Sequence, residues 1–470
     1  MTAAAPTASP APPGLRRRTA LLFATAGGLT VANIYFPQPL LDAIAAGLGV
    51  SDTAAGLVAT AAQAGYALGI ALVVPLADTA RLRRLTATLL VLTCAGLLVA
   101  AAAPGLATLT VATVALSTTT VLPQVLMPTA ASLAGPAHGG RAVGLIGIGI
   151  TLGSTLSRTL SGTVAALSGD WRTAYLVAAA LTGALALLVP RALPERAPGG
   201  GARLPYRRLI GSLPGLVRTH PGLRLSAFLG ATVFGAFSAF WATLAFHLAG
   251  PPFSLGTAGA GLFGLLSLPA ALLSYPAGRI ADRRGPRYVN LLALGCCAVA
   301  FAGMGLHGDS LPVLVLGTNL LVYGGACSQI ANQVRIFRLS GEIRARLNTL
   351  FMLASFCGGA LGSLGGAALH ARYGWTGLVL GCLGVLALAG AGLARTRHPD
   401  RDPGPSGAAY APGGPSRVSA RRRQMSAARS RLAEAWASAA RARSRSRPAR
   451  SWPSTTSSRP SRTSSRTRPR

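Results

Sequence analysis

The chain has 470 residues, of which 51% are hydrophobic and only 12% are charged, and its mean hydropathy is +0.48. This composition excludes an ordinary soluble domain and indicates an integral membrane protein. The formal net charge is +33 and the chain contains no lysine, so the placement of its arginines is more informative than the total charge. The six cysteines stand in apolar runs without metal-ligand spacing, so we predict neither a disulfide framework nor a metal site.

Twelve apolar runs are long enough to cross about 30 Å of hydrocarbon as helices, which takes roughly 20 residues each. The sequence therefore predicts an all-α membrane protein with twelve spanning helices, numbered 1 to 12 in chain order. The predicted spans are 19–41, 54–77, 85–104, 106–129, 142–167, 173–193, 223–248, 256–278, 288–307, 311–334, 347–369 and 374–394. The first run is longer than the apolar core of a signal peptide, so we interpret it as a retained helix.

Arginines are distributed unequally between the two ends of the predicted bundle. Twenty-two of them stand at one end, including Arg335 after the predicted end of helix 10, whereas only Arg172 and Arg372 stand at the other. By the positive-inside rule the arginine-rich end is cytoplasmic, and this end includes both termini. We therefore predict a multi-pass protein of the cell inner membrane.

Two pairs of residues indicate an internal repeat. Asp78 and Asp282 follow helices 2 and 8 and are 204 residues apart, and Trp171 and Trp375 are separated by the same number. A shared offset favours two bundles of six helices each. The predicted organisation is a disordered cytoplasmic N-terminus at 1–18, an N-terminal bundle at 19–193, a basic cytoplasmic linker at 194–222, a C-terminal bundle at 223–396 and a disordered Arg/Ser/Pro-rich cytoplasmic tail at 397–470.

The loop after helix 8, GRIADRRGPR, has residues suited to a gate. Gly278 and Gly285 permit a tight turn, and Asp282 can face the amides at a neighbouring helix N-terminus. Arg283 and Arg287 can hold the loop at the anionic inner leaflet. Such a loop can hold one face of the bundle shut, although a basic turn that only sets topology has the same composition.

The same loop matches the Gly-x-x-x-Asp-Arg-x-Gly-x-Arg signature of the major facilitator superfamily, which this chain resembles. The segments ANIYFPQPLL, SRTLSG, FSAFWATLAFHLAGPPFSL, NQVRIFRL and RLNTLFMLASFCGGALGS resemble the bacterial drug:proton antiporter-1 branch of sugar, nucleoside and drug efflux permeases. The resemblance covers about residues 16–396 and implies two six-helix bundles that rock around a central site, with efflux coupled to protons. The first copy of the loop departs from the signature at Val74, Thr79 and Arg81, so Asp78 is the weaker gate candidate.

Helices 1, 4, 7 and 10 carry much of the amide and aromatic content within the predicted spans, and in the resembled fold these four helices line the central cavity. Any single amide can instead join two helices by a hydrogen bond. The predicted cavity residues are Asn33, Tyr35, Gln38, Gln63, Gln124, Arg158, Trp241, Tyr323 and Gln329.

Helix 5 has two distinct faces. A strip of small residues that predicts close approach of another helix comprises Gly149, Gly153, Ser157 and Ser161. A neighbouring polar strip at helical spacing comprises Thr151, Ser154, Thr155, Arg158 and Gly162. In the resembled family this helix carries an antiporter signature, whose usual Gly-Pro pair is replaced here by Arg158 and Thr159.

Arg158 lies about 24 Å along helix 5 from its arginine-rich end, which is beyond the middle of the membrane. A charge at that depth costs at least ~2.5 to 3.5 kcal/mol on insertion scales. Three interpretations are open: an anchor in the cavity for an anionic or carbonyl-rich substrate, a tie to backbone carbonyls or amides of helices 1, 8 or 10, or a side chain that reaches the outer surface.

No acidic residue lies clearly within a predicted span, although many proton-coupled exporters bind the proton on such a group. Asp42 and His247, at the outer ends of helices 1 and 7, are the candidates for coupling, and either can also be a solvated loop residue. Proton coupling therefore follows from the resemblance alone.

We predict a secondary transporter that moves a small organic solute across the lipid bilayer by alternating access. No catalytic constellation and no nucleotide-binding Gly-x-x-x-x-Gly-Lys sequence occurs, so we expect neither an enzyme nor a bound cofactor. We expect a monomer. We also expect no nucleic-acid partner, because the arginine-rich tail has no interleaved aromatic residues beyond Trp436 and Trp452. The alternative is a membrane sensor or scaffold that uses a transporter fold without transporting.

Overall fold

A computed structural model describes residues 17–78, 80–195, 206–339 and 343–396, all within one compact unit. The described residues are almost entirely α-helical. The predicted disordered tail at 397–470 lies outside them, and so does the predicted N-terminal segment apart from Arg17 and Arg18.

Within the described ranges, twelve helices are long and apolar enough to cross a membrane once the last helical stretch is divided at Gly374. Helices 1 to 6 are Arg17–Leu48, Asp52–Ala77, Leu82–Ala101, Leu106–Gly135, His138–Ser168 and Trp171–Ala192. Helices 7 to 10 are Pro221–Ala249, Thr257–Arg284, Pro286–Leu306 and Leu311–Leu339, and helices 11 and 12 are the two parts of Arg344–Arg395. We call helices 1–6 the N half and helices 7–12 the C half.

Glycines separate helices 4 and 5 and helices 11 and 12. Gly135 and Gly374 have φ values of 72° and 64°, which residues with a Cβ atom rarely adopt. Proline interrupts helix 1 in a different way, since Pro37 directly precedes a 3₁₀ turn at Gln38–Leu40 and Pro39 lies within that turn. This break lies at the level of the central site and positions the side chain of Gln38.

The small-residue strip of helix 5 packs closely against another helix, as predicted, and the structure identifies that helix as helix 1. A Cβ atom at Gly149 or Gly153 would lie against the backbone of Ala24 or Gly28. In the C half, helix 11 contacts helix 7 in the same manner, because a Cβ at Gly362 would lie against the backbone of helix 7 at Gly235. Helices 1 and 5 of the N half and helices 7 and 11 of the C half are therefore pairs whose backbones touch.

Gly153→Ala is expected to destabilise the protein, because the added methyl group would overlap the Gly28 carbonyl. Overpacking of this kind costs about 1–3 kcal/mol of unfolding free energy. Gly144→Ala, on the same helix, is the matched control, since no atom lies within 4 Å of a Cβ placed there. Thermal unfolding in detergent measures both variants, and equal unfolding temperatures would contradict the close contact.

The segment between the two halves contains a helix that the sequence analysis did not predict. This linker helix, Tyr206–Thr219, is amphipathic, and its Leu216 packs against helix 7, helix 10 and helix 11 at Leu223, Ile336 and Leu347. Arg346 Nη1 of helix 11 also donates a hydrogen bond to Ser212 Oγ at 3.3 Å. The linker is therefore attached to the arginine-rich end of the C half.

Candidate functional site

A cavity of about 250 Å³ lies between the N half and the C half. Its described walls come from helices 1, 2, 4 and 5 of the N half and from helices 7, 8, 10 and 11 of the C half. This set is wider than helices 1, 4, 7 and 10, which the resemblance implied. Because both halves line this cavity, a movement of one half relative to the other can open or close it.

Arg158 marks one end of the cavity along the axis of the bundle. From Arg158 the walls continue toward the arginine-rich end, through Thr151 on helix 5, Phe234 on helix 7 and Phe351 on helix 11. Gln38 and Trp241 lie farther along their helices in the opposite direction and cover Arg158 from that side. The cavity thus occupies the arginine-rich half of the bundle.

The guanidinium of Arg158 is held by four neutral groups. Its Nε donates to Gln38 Oε1 at 2.7 Å, and its Nη1 donates to the carbonyl of Ser154 at 2.6 Å. The guanidinium carbon also lies over the rings of Trp241 and Tyr35, 3.9 Å and 4.7 Å from their centroids. Hydrogen bonds and ring faces together stabilise the charge in a site that water scarcely reaches.

The burial and hydrogen bonds of Arg158 bear on the three interpretations of this residue. The side chain is only 4% exposed, which excludes a side chain that reaches the outer surface. The bond to Gln38 ties helix 5 to helix 1, whereas Ser154 lies one turn back on helix 5 itself. Arg158 also lines the cavity, and its role as a substrate anchor stays a prediction.

The structure separates the nine predicted cavity residues into three groups. Four line the cavity: Tyr35, Gln124, Arg158 and Gln329. Two contact Arg158 from its far side: Gln38 and Trp241. Three do not line it: Asn33, Gln63 and Tyr323.

The last three predictions were wrong because a polar residue within a span can face a neighbouring helix. Asn33 donates to Thr182 Oγ1 of helix 6 at 3.4 Å. Tyr323 packs within the C half against helices 8 and 9, and Gln63 is buried but does not line the cavity. Asn33 is two positions from Tyr35, which is about 200° around a helix, so the two side chains face opposite directions.

Sequence analysis missed most of the aromatic wall of the cavity. Phe356 of helix 11 contacts Tyr66 and Phe234, with ring centroids 4.5 Å and 5.0 Å apart. Phe351, Met352, Ser355 and Phe356 all line the cavity, and their spacing in the sequence places them on one helical face. This helical spacing is the feature of the sequence that could have indicated the cavity wall. The four residues directly precede the glycine-rich part of helix 11.

The two halves are in close contact at the end opposite the arginines. Thr159 Oγ1 of helix 5 donates to the carbonyl of Gly261 on helix 8 at 2.8 Å, and a Cβ at Gly162 would lie 3.0 Å from the Cα of Gly261. Helices 2 and 11 meet at Gly56, where a Cβ would lie 2.9 Å from the Cβ of Ala367. These contacts between small residues close the bundle beyond Arg158.

Comparison with known proteins agrees with this architecture. The sequence profile of the Major Facilitator Superfamily matches residues 21–257 and 223–444. The chain belongs to the Major Facilitator Superfamily. The uncharacterized transporter YgaY of Escherichia coli O157:H7 is 37% identical over 360 residues, which cover 77% of this chain and 91% of YgaY. The probable transporter SCO4007 of Streptomyces coelicolor is 34% identical over 404 residues, covering 83% of this chain and 91% of that protein.

Solved structures show the same fold at low sequence identity. The nucleoside transporter NupG has a TM-score of 0.64 and 16% identity, with 81% of this chain and 99% of NupG covered. A bacterial homolog of the human lysosomal transporter Spinster, in an inward-facing and unoccupied conformation, has a TM-score of 0.66 and 15% identity, with 84% and 98% covered. This chain is therefore a membrane transporter of the superfamily with two bundles of six helices.

The superfamily loop after helix 8 forms contacts within the C half. Asp282 Oδ1 lies 3.4 Å from Arg338 Nη2 at the end of helix 10, so it pairs with an arginine rather than with the amides at a helix N-terminus. Gly285 adopts a φ of 87° where helix 8 turns into helix 9, and Arg287 Nη1 donates to the carbonyl of Thr396 at 2.5 Å. In the other copy, Asp78 ends a 3₁₀ turn, and its side chain lies outside the described part of the structure.

The remaining residues of this loop also lie on the described part of the chain. Gly278 belongs to the last helical segment of helix 8, and a Cβ there would contact Ile330 at 3.6 Å. Arg283 stands in the last turn of the same segment and is exposed.

The two coupling candidates lie at the end opposite the arginines, and neither lines the cavity. Asp42 is half-buried in the first turn of Leu41–Leu48. His247 Nε2 donates to the carbonyl of Gly308 at 3.1 Å, and the ring stacks on Trp375 with centroids 3.9 Å apart.

Arg335 is a second buried arginine, which the sequence analysis wrongly assigned to a loop. Helix 10 continues to Leu339, and Arg335 is only 2% exposed within it. Its Nη1 donates to Asn332 Oδ1 at 2.8 Å, and Asn332 Nδ2 in turn donates to Asn290 Oδ1 at 3.3 Å. Ser328 also donates to Asn290, and because Ser328 lines the cavity this polar network reaches its wall.

Proposed function

We propose that this transporter is a proton-coupled exporter of the inner membrane, which moves a small organic solute such as a drug, sugar or nucleoside outward by alternating access. The observation that carries the proposal is a cavity shared by both halves and closed at one end by contacts between small residues. The protein acts as a monomer, with both termini in the cytoplasm.

The orientation rests on the distribution of arginine. Because the arginine-rich end is cytoplasmic by the positive-inside rule, the closed end faces outward. The described cavity lies in the cytoplasmic half of the bundle, where an exporter receives its solute. Release then requires the small-residue contacts to separate while the cytoplasmic ends approach each other.

The proton is proposed to bind away from the solute. Among the described residues, the cavity wall carries no carboxylate. Asp42 and His247 are titratable groups near the closed end, so protonation of either from outside can alter the contacts that keep the halves together.

The test is flux in proteoliposomes that contain the purified full-length chain. A panel of drugs, nucleosides and sugars is offered with and without an imposed proton gradient. We expect solute movement that follows the gradient and stops when a protonophore dissipates it. Absence of gradient-dependent flux across the panel would refute the proposal and favour a sensor or scaffold.

The loop after helix 8 is proposed to gate the cytoplasmic end. Asp282→Asn is expected to slow transport roughly fivefold, the factor that about 1 kcal/mol makes in a conformational equilibrium. The pair with Arg338 is largely exposed, so the loss of folding stability is expected to be below about 1 kcal/mol. Initial flux and unfolding temperature measure the two effects.

Glu195→Gln is the matched control for this prediction. Glu195 is also exposed at the arginine-rich end and lies outside the loop after helix 8; its 3.8 Å partner, Arg81, stands in the first copy of the loop, where the sequence departs from the signature. We expect wild-type flux from this variant, and equal rates for wild type and Asp282→Asn would remove the gating role.

A further inference from the structure

We infer that the cavity takes a small organic anion, a carboxylate on an aromatic or other apolar body, with Arg158 as its anchor. This inference rests on the proposed transport function and names its substrate class. Of the described side chains that line the cavity, Arg158 is the only one with a full charge at neutral pH.

The protein surroundings of Arg158 leave its positive charge uncompensated. The partners described for it are an amide oxygen, a backbone carbonyl and two aromatic rings, all of which are neutral. The ion pairs described elsewhere in the structure involve Asp170, Glu195 and Asp282, near the ends of the helices. A buried cation surrounded by neutral groups gains most from an incoming anion, whereas a cationic ligand would be repelled.

The guanidinium also has N–H groups that its described hydrogen bonds do not use, and its orientation is fixed. A guanidinium carries five N–H groups, and the described hydrogen bonds of Arg158 use Nε and Nη1 but not Nη2. Stacking on Trp241 and the bond to Gln38 hold its plane in place. A planar fork fixed in this way suits the two oxygens of a carboxylate better than a single mobile ammonium group would.

The rest of the cavity defines the body of the ligand. Its walls near Arg158 carry the rings of Tyr66, Phe234 and Phe356 together with the neutral amides of Gln124 and Gln329. An inorganic anion would leave this aromatic wall without a partner. The volume of about 250 Å³ lies below the roughly 300–1,000 Å³ of drug-sized sites, so the ligand is compact.

The test compares equilibrium binding of probes that differ only in charge. The full-length wild type in detergent is titrated with 3-phenylpropanoate, 3-phenylpropanamide and 3-phenylpropylamine, and with indole-3-acetate, indole-3-acetamide and tryptamine. Calorimetry gives Kd, and ligand-induced shifts in unfolding temperature give an independent ranking. We expect a carboxylate to bind about 10- to 100-fold more tightly than its amide, and the amine to bind most weakly.

Two variants test whether Arg158 causes this ranking. Arg158→Gln removes the charge, and Gln38→Glu places a carboxylate of the same shape where the amide oxygen lies 2.7 Å from Arg158 Nε. Both are expected to abolish the preference for the carboxylate, whereas Arg158→Lys retains part of it. Arg346→Gln, which removes an arginine outside the cavity wall, is the control and should bind as wild type does.

The inference is overturned if the amide or amine binds as tightly as the carboxylate in both probe sets, or if Arg158→Gln keeps the preference. Should Arg158→Gln fail to fold, the wild-type ranking and Gln38→Glu decide the question. If the protein transports a neutral or cationic solute but binds no carboxylate, the substrate inference is overturned and the transport proposal stands. Arg158-dependent carboxylate binding without gradient-driven flux of any solute would instead overturn the transport proposal.

Discussion

Arg158→Gln is expected to reduce transport roughly 100-fold, because it removes a charge-assisted contact worth up to about 3 kcal/mol to the solute. Folded protein should stay near the wild-type level. The variant loses bonds to neutral partners, at about 1 kcal/mol each, but it also avoids the ~2.5 to 3.5 kcal/mol cost of a charge at this depth. Flux of the best wild-type solute, together with the unfolding temperature, measures both quantities.

The conservative variant refines this prediction. Arg158→Lys keeps the charge but loses the planar fork and its stacking on Trp241, so we expect partial transport. Arg158→Gln could instead give less folded protein, while each folded molecule transports at the wild-type rate. In that case the arginine serves as a tie between helices 1 and 5 and not as a substrate anchor.

A disulfide between Gly56→Cys and Ala367→Cys is expected to stop transport completely and reversibly. A Cβ at Gly56 would lie 2.9 Å from the Cβ of Ala367, and helices 2 and 11 need to part by only about 1 Å to reach the ~3.8 Å of a disulfide. The bond would join the two halves at the end that has to open. Flux is measured after oxidation and again after reduction, with the six native cysteines replaced by alanine.

Gly305→Cys with Val379→Cys is the matched control. A Cβ at Gly305 would lie 3.7 Å from the Cβ of Val379, and both positions belong to the C half. This bond leaves the two halves free to move, so oxidised control protein should transport at the reduced rate. Undiminished flux through the oxidised Gly56–Ala367 pair would contradict alternating access by separation at this end.

Local features of the chain could be predicted from the sequence because they depend on residues that are neighbours in it. The length of each apolar run predicted the twelve spans, and the small residues of helix 5 predicted the close approach of another helix, which the contact of Gly153 with Gly28 confirms. The unusual depth of Arg158 was equally evident, since it requires only counting along a helix.

Helix periodicity accounts for several of the errors. It shows which residues share a face but not which neighbour that face meets. Asn33 faces helix 6 and Tyr35 faces the cavity, although both are polar residues of helix 1. Arg335 was counted with the loops because charge usually ends a span, yet Asn332 and Ser226 accept its hydrogen bonds inside the C half.

The sequence by itself predicted a twelve-helix membrane protein with arginine concentrated at one end and a lone charge within the apolar span 142–167, and only its resemblance to a known superfamily implied transport. Span length, charge asymmetry and residue spacing are properties of consecutive residues, and the bilayer imposes them on each helix separately. Only the tertiary structure decided what that charge contacts. Long-range packing brings Gln38 and Tyr35 of helix 1 and Trp241 of helix 7 within reach of the guanidinium, whereas Ser154 lies one turn away on the same helix.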